Sequence, residues 1–244
     1  MRRDVLELRE FYASRLGYAA HEMVARKAWE AWGDCTGLDV LGLGYTTPHL
    51  EMWRKTARRS VAAMPAQQGV EVWPADARPA ACLVDERASP FPNALFDRVL
   101  VVHGLEESDD PEAFLREVWR VMAPSGRVIV AAAARMGLWS RTEATPFGHG
   151  RPFTRRQLEQ LVRSAELEPT AWSRALYVPP LRMFTPWADV WEQAGSRLWP
   201  PFAGLILLEA VKQTFAVKPM AARNRARVFA PGGVLQPSPT RGVV

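Results

Sequence analysis

Residues 81–130 read ACLVDERASPFPNALFDRVLVVHGLEESDDPEAFLREVWRVMAPSGRVIV, and this stretch decides the fold. Three short apolar runs, at 81–85, 98–106 and 127–133, alternate with polar segments. Between the last two lies 109–122, where apolar residues recur at helical spacing. Short apolar runs joined through a helix are typical of buried parallel strands. The stretch therefore predicts the middle of an α/β domain.

The same pattern extends in both directions along the chain. Asp110 and Pro111 stand where a helix N-cap and its first position belong, which supports the helix at 109–122. The other predicted helices cover 4–33, with a new segment after Gly17, a stretch from Pro48 through the following HLEMWRKTARR, 155–167 and 183–198. The other predicted strands cover 38–44, 60–64, 170–179 and 204–216. Alternating strands and helices predict a Rossmann-like, doubly wound, mostly parallel seven-stranded sheet, with an antiparallel C-terminal hairpin and extra N-terminal helices.

The predicted organisation is one domain over 1–217 followed by a basic tail that contains proline and glycine, 218–244. Within the domain we expect N-terminal helices at 1–33, a cofactor-binding core at 37–133, and a substrate loop with the C-terminal hairpin at 134–217. The tail has the composition of an extended or disordered segment rather than of core.

Composition excludes several classes of protein. With four histidines and two cysteines, dispersed along the chain, neither a disulfide framework nor a metal site is expected. No apolar run approaches the length of a membrane helix and the first residues do not resemble a signal peptide, so we expect a cytoplasmic protein without a membrane partner. The net charge of +5 is compatible with nucleic acid, but arginine-rich chains are often basic without binding it.

The order of motifs in 81–130 resembles the class I S-adenosylmethionine-dependent methyltransferases, in the broad group that includes quinone-biosynthesis and small-molecule enzymes. This resemblance implies S-adenosylmethionine as the cofactor and a methyl acceptor that could be a small molecule, an RNA or a protein. It also implies that Asp85 binds the adenine of the donor with Glu86 beside it, and that His103 and Gly104 line the place where the methyl group projects. In an open parallel sheet these positions fall at the carboxyl ends of strands, where ligands bind.

The first glycine motif departs from the family pattern, which has an acid and then three alternating glycines after the first strand. The segment VLGLGYTTPHL, 40–50, fits in two registers. In one, Gly44 is the first glycine, Gly42 replaces the acid, and Thr46 and Pro48 replace the other glycines. In the other, Gly42 and Gly44 form the first pair, Thr46 takes the third place, and Val40 replaces the acid. We expect Gly42, Gly44, Tyr45 and Thr46 to contact the donor, with an affinity lowered by roughly one to two decades for want of the acid.

The second strand lacks the acid that commonly holds the donor's ribose. Met64 and Pro65 stand at its end, and Gln67 or Gln68 could supply a neutral substitute. For the acceptor side, the catalytic candidates are His103, Glu106 and His149, because methyl transfer needs alignment and sometimes a general base. His149 lies in TPFGHGRPFT, 145–154, a loop that follows the fifth strand and could equally be a proline-pinned surface loop.

Alternatives to an independent enzyme remain open at this point. The degenerate glycine motif is compatible with a methyltransferase-fold binding protein or subunit whose donor site has decayed. It is also compatible with an enzyme that needs an activating protein, such as the small zinc-ribbon activator of some class I methyltransferases. A dehydrogenase is disfavoured because no G-x-G-x-x-G follows the first strand. Four tryptophans in the C-terminal third form either core beneath the hairpin or an apolar patch for a partner subunit: Trp172, Trp187, Trp191 and Trp199.

Overall fold

The computed structural model describes residues 2–212 and 227–228. Its strands are β1 (Asp39–Gly44), β2 (Arg59–Pro65), β3 (Ala81–Val84), β4 (Phe96–Val102), β5 (Met122–Ala133), β6 (Leu167–Ala175), β7 (Leu205–Lys212) and β8 (Arg227–Val228). Its α-helices are α1 (Val5–Ala13), α2 (Arg15–Trp32), α3 (Thr47–Leu50), α4 (Pro111–Val121), α5 (Arg155–Ser164) and α6 (Ala188–Leu198). Short 3-10 turns lie at Trp139–Arg141, Pro146–Gly148, Arg182–Trp187 and Pro200–Phe202.

The strands form one sheet in the order β3-β2-β1-β4-β5-β7-β6-β8. The first five strands pair in parallel, with Leu41 of β1 opposite Val61 of β2 on one side and Val99 of β4 on the other. β7 runs antiparallel between β5 and β6. The predicted Rossmann-like sheet with an antiparallel C-terminal hairpin is therefore confirmed. A two-residue strand, β8, lies within the predicted tail and pairs with β6, and the rest of that tail lies outside the described residues.

Both faces of the sheet are apolar because the strands are covered on both sides. On one face α1 and α2 bury Leu8 and Val24 against strand residues such as Val40. On the other face α4 and α5 bury Phe114 and Leu158. Neighbouring residues of a strand alternate between these two layers. Because β1 to β5 run parallel, their carboxyl ends lie together at one edge of the sheet.

Three predicted boundaries are wrong, each for a local reason. The first helix breaks at Ser14 rather than after Gly17, because Ser14 has extended backbone and its hydroxyl caps α2 by accepting the N–H of Gly17 at 3.1 Å. The predicted helix from Pro48 is one turn long, since the chain folds back to bury Trp53 and bond its indole N–H to Gly33 O at 2.9 Å. β5 begins at Met122, which pairs with Phe96 across a register shift.

None of the helices in the described part of the chain is both long enough and apolar enough to cross a membrane.

Candidate active site

The glycine turn at the end of β1 packs directly against the end of β4. Gly44 has a φ of +88°, and a Cβ there would overlap Val102 O and lie 2.9 Å from Gly104 N. The next residue, Tyr45, donates its N–H to Val102 O at 2.8 Å. Only glycine satisfies both the positive φ and the close approach. The strand thus runs through Gly42 and turns at Gly44, which favours the register in which Gly44 is the first glycine.

Thr46 occupies the space that the family pattern leaves to a glycine. Its side chain folds back over β1, so that a Cβ on Gly42 would overlap its hydroxyl group. Thr46 is fully buried, and its Oγ1 has no hydrogen-bond partner within the described residues. A buried hydroxyl without a partner costs free energy, so this group is available to a ligand at the glycine turn.

The two acids after β3 point to different surroundings. Asp85 is exposed, and its Oδ1 accepts the N–H of Arg87 at 2.9 Å, which closes a turn. Glu86 is directed toward β4, where its carboxylate accepts the hydroxyl of Ser108 at 2.6 Å. The structure therefore places Glu86, rather than Asp85, at the crevice between the ends of β3 and β4.

Arg2 fills this crevice, a contact that no sequence pattern predicts. Its guanidinium lies 2.6 Å from a carboxylate oxygen of Glu86 and donates to Gly104 O at 3.1 Å, with the side chain 2% exposed. Three residues on, the N–H of Val5 donates to Gln68 O at 2.8 Å. The segment from Arg2 to Val5, here called the N-terminal strap, consequently runs across the ends of β2, β3 and β4.

Two polar side chains in the segment after β2 are candidates to substitute for the two acids that the donor motifs lack. Gln68 is fully buried, and neither atom of its side-chain amide has a partner within the described residues, whereas Gln67 is exposed. Glu71, which sequence reasoning missed, is half-buried and accepts the hydroxyl of Thr47 at 2.6 Å. Its carboxylate thus lies beside the first turn after the glycine motif, although it comes from a different segment than the family's acid.

His103 follows β4 in a buried, aromatic environment. Its φ is +51°, and its Nε2 lies 2.9 Å from the hydroxyl of Tyr12, which comes from α1. Its ring packs on Phe147 of the 145–154 loop at 4.4 Å between centroids, and Tyr12 stacks on Tyr45 at 5.5 Å. Burial lowers the pKa of His103 to about 3 and raises the pKa of Tyr12 well above its usual value. The pair is therefore neutral at physiological pH.

Glu106 lies at the same strand end and is also buried. Its Oε1 accepts the N–H of Ala133, the last residue of β5, at 3.1 Å. Burial raises the pKa of Glu106 to about 7, against the opposing effect of backbone hydrogen bonds that include the one from Ala133. This carboxyl group changes protonation near neutral pH, which is the range in which a general acid or base is most effective.

His149 lies apart from these two candidates. Its Nε2 is 3.0 Å from Glu143 O and contacts the guanidinium of Arg3. The neighbouring Arg151 donates its N–H to Glu106 O at 2.7 Å, so the 145–154 loop lies over the end of β4. His103 and Glu106 are thus brought to the same strand end, while His149 faces the N-terminal strap.

A cavity of about 940 Å³ lies between the N-terminal helices and the segment around the start of α6. Its wall includes Tyr12, whose hydroxyl reaches His103. Its charged lining residues are two arginines and two acids: Arg15, Arg26, Glu22 and Asp189. Across residues 2–212 and 227–228, no three histidine, cysteine or acidic side chains cluster as metal ligands do.

Comparison with known proteins shows what part of this chain is similar to. Residues 33–130 match a family described as a methyltransferase domain. A demethylmenaquinone methyltransferase from Thermus thermophilus is 35% identical over 94 residues, which are 38% of this chain and 36% of that enzyme. The chain therefore aligns with about a third of that relative's length.

Solved structures of other proteins resemble the fold of this protein over most of the chain. A methyltransferase of Haloferax volcanii, in complex with the Trm112 methyltransferase activator, has a TM-score of 0.61 at 18% identity and covers 87% of this chain and 100% of that one. A SAM-dependent methyltransferase from Thermotoga maritima has a TM-score of 0.58 at 16% identity, covering 86% and 96%. Residues 33–130 therefore match a methyltransferase domain, and the fold of most of the chain resembles that of S-adenosylmethionine-dependent methyltransferases.

Proposed function

We propose that this protein transfers a methyl group from S-adenosylmethionine to a small, uncharged acceptor. The observation that carries the proposal is the set of unpartnered buried polar groups, the Thr46 hydroxyl and the Gln68 amide, around a glycine turn that packs on β4. Buried groups of this kind are normally hydrogen-bonded in a complete structure. A ligand that is rich in hydroxyl, amine and carboxylate groups, as S-adenosylmethionine is, fits them.

In this proposal, residues at the ends of different strands would bind different parts of the donor. Gly44 and Thr46 would hold its amino-acid part, with Gln68 at the ribose and Glu71 supplying a carboxylate near the glycine turn. Glu86 and Gly104 would accept hydrogen bonds from the adenine amine, in place of the ion pair and the hydrogen bond that they now make with Arg2. When bound, S-adenosylmethionine supplies an electrophilic methyl group. The resemblance assigned the adenine to Asp85, so the two neighbouring acids are competing candidates.

His103, Tyr12 and Glu106 serve the acceptor side. His103 is neutral and lies 2.9 Å from the Tyr12 hydroxyl, so it fixes the position of the tyrosine in the wall of the cavity. Glu106, with a pKa of about 7, can take a proton from the acceptor at neutral pH. Most of the rate enhancement in such a displacement comes from alignment, which the buried aromatic surroundings provide.

The cavity beside Tyr12 favours a small, neutral acceptor over RNA. Its two arginines are balanced by two acids, and Arg26 is paired with Asp189 at 3.2 Å. A nucleic-acid site would instead present an excess of positive charge. Tyr18, Met23 and Pro186 add apolar surface to the same wall, which suits an aromatic or aliphatic molecule.

Calorimetric titration with S-adenosylmethionine and S-adenosylhomocysteine tests the donor site. We expect micromolar binding that Glu86→Gln weakens by about tenfold, the worth of one hydrogen bond to a charged group. Asp85→Ala is the matched control, because that side chain is exposed and closes a local turn. If Asp85→Ala weakens binding and Glu86→Gln does not, the adenine belongs to Asp85. Absence of heat at millimolar ligand in the wild type and in Arg2→Ala contradicts donor binding itself.

A second function is favoured by the position of Arg2. A buried ion pair across the donor crevice is what a binding protein or subunit with a decayed donor site would contain. Dependence on an activating protein is the other open alternative, since a structural neighbour is seen with such an activator. Purification from native cells followed by mass measurement of the intact complex distinguishes the two: a stoichiometric partner that restores donor binding supports activation, whereas a partner without donor binding supports a subunit role.

A further inference from the structure

Helix α6 presents its apolar side to solvent. Trp187, Val190 and Leu198 follow helical spacing along one side, and their side chains are 57%, 63% and 66% exposed. The opposite side packs on the domain through Ala188, Glu192 and Gly195. A surface helix of a globular protein normally does the reverse and buries its apolar stripe. The outer side of α6 is therefore an apolar surface without a partner among the described residues.

The segments around α6 enlarge this surface. Leu181, Met183, Trp199 and Phe202 are between 48% and 67% exposed. The loop after β5 adds Met136 and Leu138, since its Gly137 packs so closely on Gly204 that a Cβ would lie 2.8 Å from its Cα. We call the exposed apolar residues of 136–138 and 181–202 the α6 face. Contiguous apolar surfaces of this extent mark interaction sites.

The charge of the α6 face is positive. Residues 135–141 and 181–202 contain four arginines, Arg135, Arg141, Arg182 and Arg197, and two acids, Asp189 and Glu192. Asp189 is paired with Arg26 at 3.2 Å, and Glu192 is buried with its carboxylate accepting the N–H of Tyr177 at 3.0 Å. Neither acid offsets the arginines at the surface. A second copy of the chain in a two-fold dimer would bring this face against itself and set arginine against arginine.

We propose that the α6 face binds the surface of an anionic lipid bilayer. Exposed tryptophan, leucine, methionine and phenylalanine insert at the headgroup level, and arginines attract anionic headgroups. This differs from the sequence-based expectation of no membrane partner, which rested on the absence of a spanning segment. The cavity beside Tyr12 opens next to the same face through Thr185–Asp189. An apolar molecule could thus pass from the lipid to the cavity, but the proposal stands without methyl transfer.

Vesicle co-sedimentation of the full chain tests the proposal. We use phosphatidylcholine vesicles alone and vesicles with 30 mol% phosphatidylglycerol, at about 0.1 M salt. We expect binding to the anionic vesicles and little to the neutral ones. Trp187→Asp with Leu198→Asp should abolish it, and Arg182→Gln with Arg197→Gln should weaken it by roughly 25-fold, about fivefold for each arginine near the surface.

The matched control is Val72→Asp, at a residue that is 73% exposed on a loop outside the α6 face. It should bind like the wild type, and the thermal melt of each variant verifies folding. The basic segment after Lys212 is present in every variant, so it cannot account for a difference between them. Equal binding by the Trp187→Asp, Leu198→Asp variant and the wild type overturns the proposal. A second result would also overturn it: the wild type does not sediment with anionic vesicles, but it forms a dimer or a protein complex that this variant disrupts.

Discussion

The segment from Arg2 to α1 closes two neighbouring strand ends by different means. At the end of β3, Arg2 makes a charged contact with Glu86 at 2.6 Å. At the end of β4, Tyr12 makes a neutral hydrogen bond with His103 at 2.9 Å and is part of the apolar core beneath α1. The first contact can open without disturbing the core, whereas the second cannot. The difference suggests that the donor crevice opens by release of the strap while α1 stays in place.

The largest difference between the two contacts is expected in the free energy of unfolding when each is removed. Tyr12→Ala removes a buried ring that packs on Tyr45 and His103, and we expect a loss of about 3–5 kcal/mol in the free energy of unfolding. Arg2→Ala should lower it by less, about 1–2 kcal/mol, because the Glu86 carboxylate that it leaves still accepts the Ser108 hydroxyl and water can enter the vacated space. Urea denaturation measures both. Tyr18→Ala, at a residue 61% exposed, is the control, and an equal loss in Tyr12→Ala and Arg2→Ala would show that the strap is part of the core.

A second, smaller effect is expected in the pH dependence of stability, through Glu106 at the end of β4. Burial raises the pKa of Glu106 to about 7 in the folded protein, above the 4.5 of an exposed glutamic acid. The folded state therefore favours the protonated form, and the contribution is fully present below pH 4.5 and is lost as the pH rises through 7. Glu106→Gln keeps an oxygen for Ala133 N and has no charge. We expect it to be more stable than the wild type by about 3 kcal/mol at pH 8 and nearly equal to it near pH 4.5.

Thermal melts at the two pH values check this prediction. Glu86→Gln is the comparison variant, since its carboxylate already faces the Arg2 guanidinium and should gain nothing at alkaline pH. A gain in Glu106→Gln that is independent of pH would mean that the carboxyl group does not titrate in this range.

Local signals in the sequence predicted the type of sheet and the succession of its elements along the chain. Asp110 and Pro111 mark the start of α4, and the apolar runs mark the strands, because capping and periodicity depend on near neighbours. The crevice between β3 and β4 could not be derived in this way. Arg2 lies 102 residues from Gly104, and only the folded chain brings the two together. Asp85 and Glu86 are adjacent, and which of them faces β4 depends on the turn that Arg87 closes.

The same limit applies to the substitutes for the missing acids. Gln68 was one of two candidates at the end of β2, and burial distinguishes it from the exposed Gln67. Glu71 had no motif that would have drawn attention to it. Its carboxylate reaches Thr47 because the loop after β2 passes beside α3. Side chains that act through tertiary contact leave no periodic pattern, so spacing alone does not find them.

The smallest and most specific effect is expected on donor affinity. The guanidinium of Arg2 is planar, lies in ion-pair contact with Glu86 and donates an N–H to Gly104 O, so it occupies the place that the amine edge of an adenine would take. If the donor must displace it, Arg2→Ala should bind S-adenosylhomocysteine about tenfold more tightly, since the competing charged hydrogen bond is removed. Calorimetric titration of both proteins with S-adenosylhomocysteine measures the difference.

Arg3→Ala is the matched control for this titration, because its guanidinium contacts Glu7 and His149 rather than the crevice. Arg3→Ala should bind S-adenosylhomocysteine with the same affinity as the wild type. Weaker binding by Arg2→Ala than by the wild type would give the opposite conclusion: Arg2 would then stay in place and contribute to the donor site, and the strap would be a wall of the pocket. In that case hydrogen exchange of the strap amides at residues 3–5 should slow when S-adenosylhomocysteine binds, whereas displacement of the strap predicts faster exchange there.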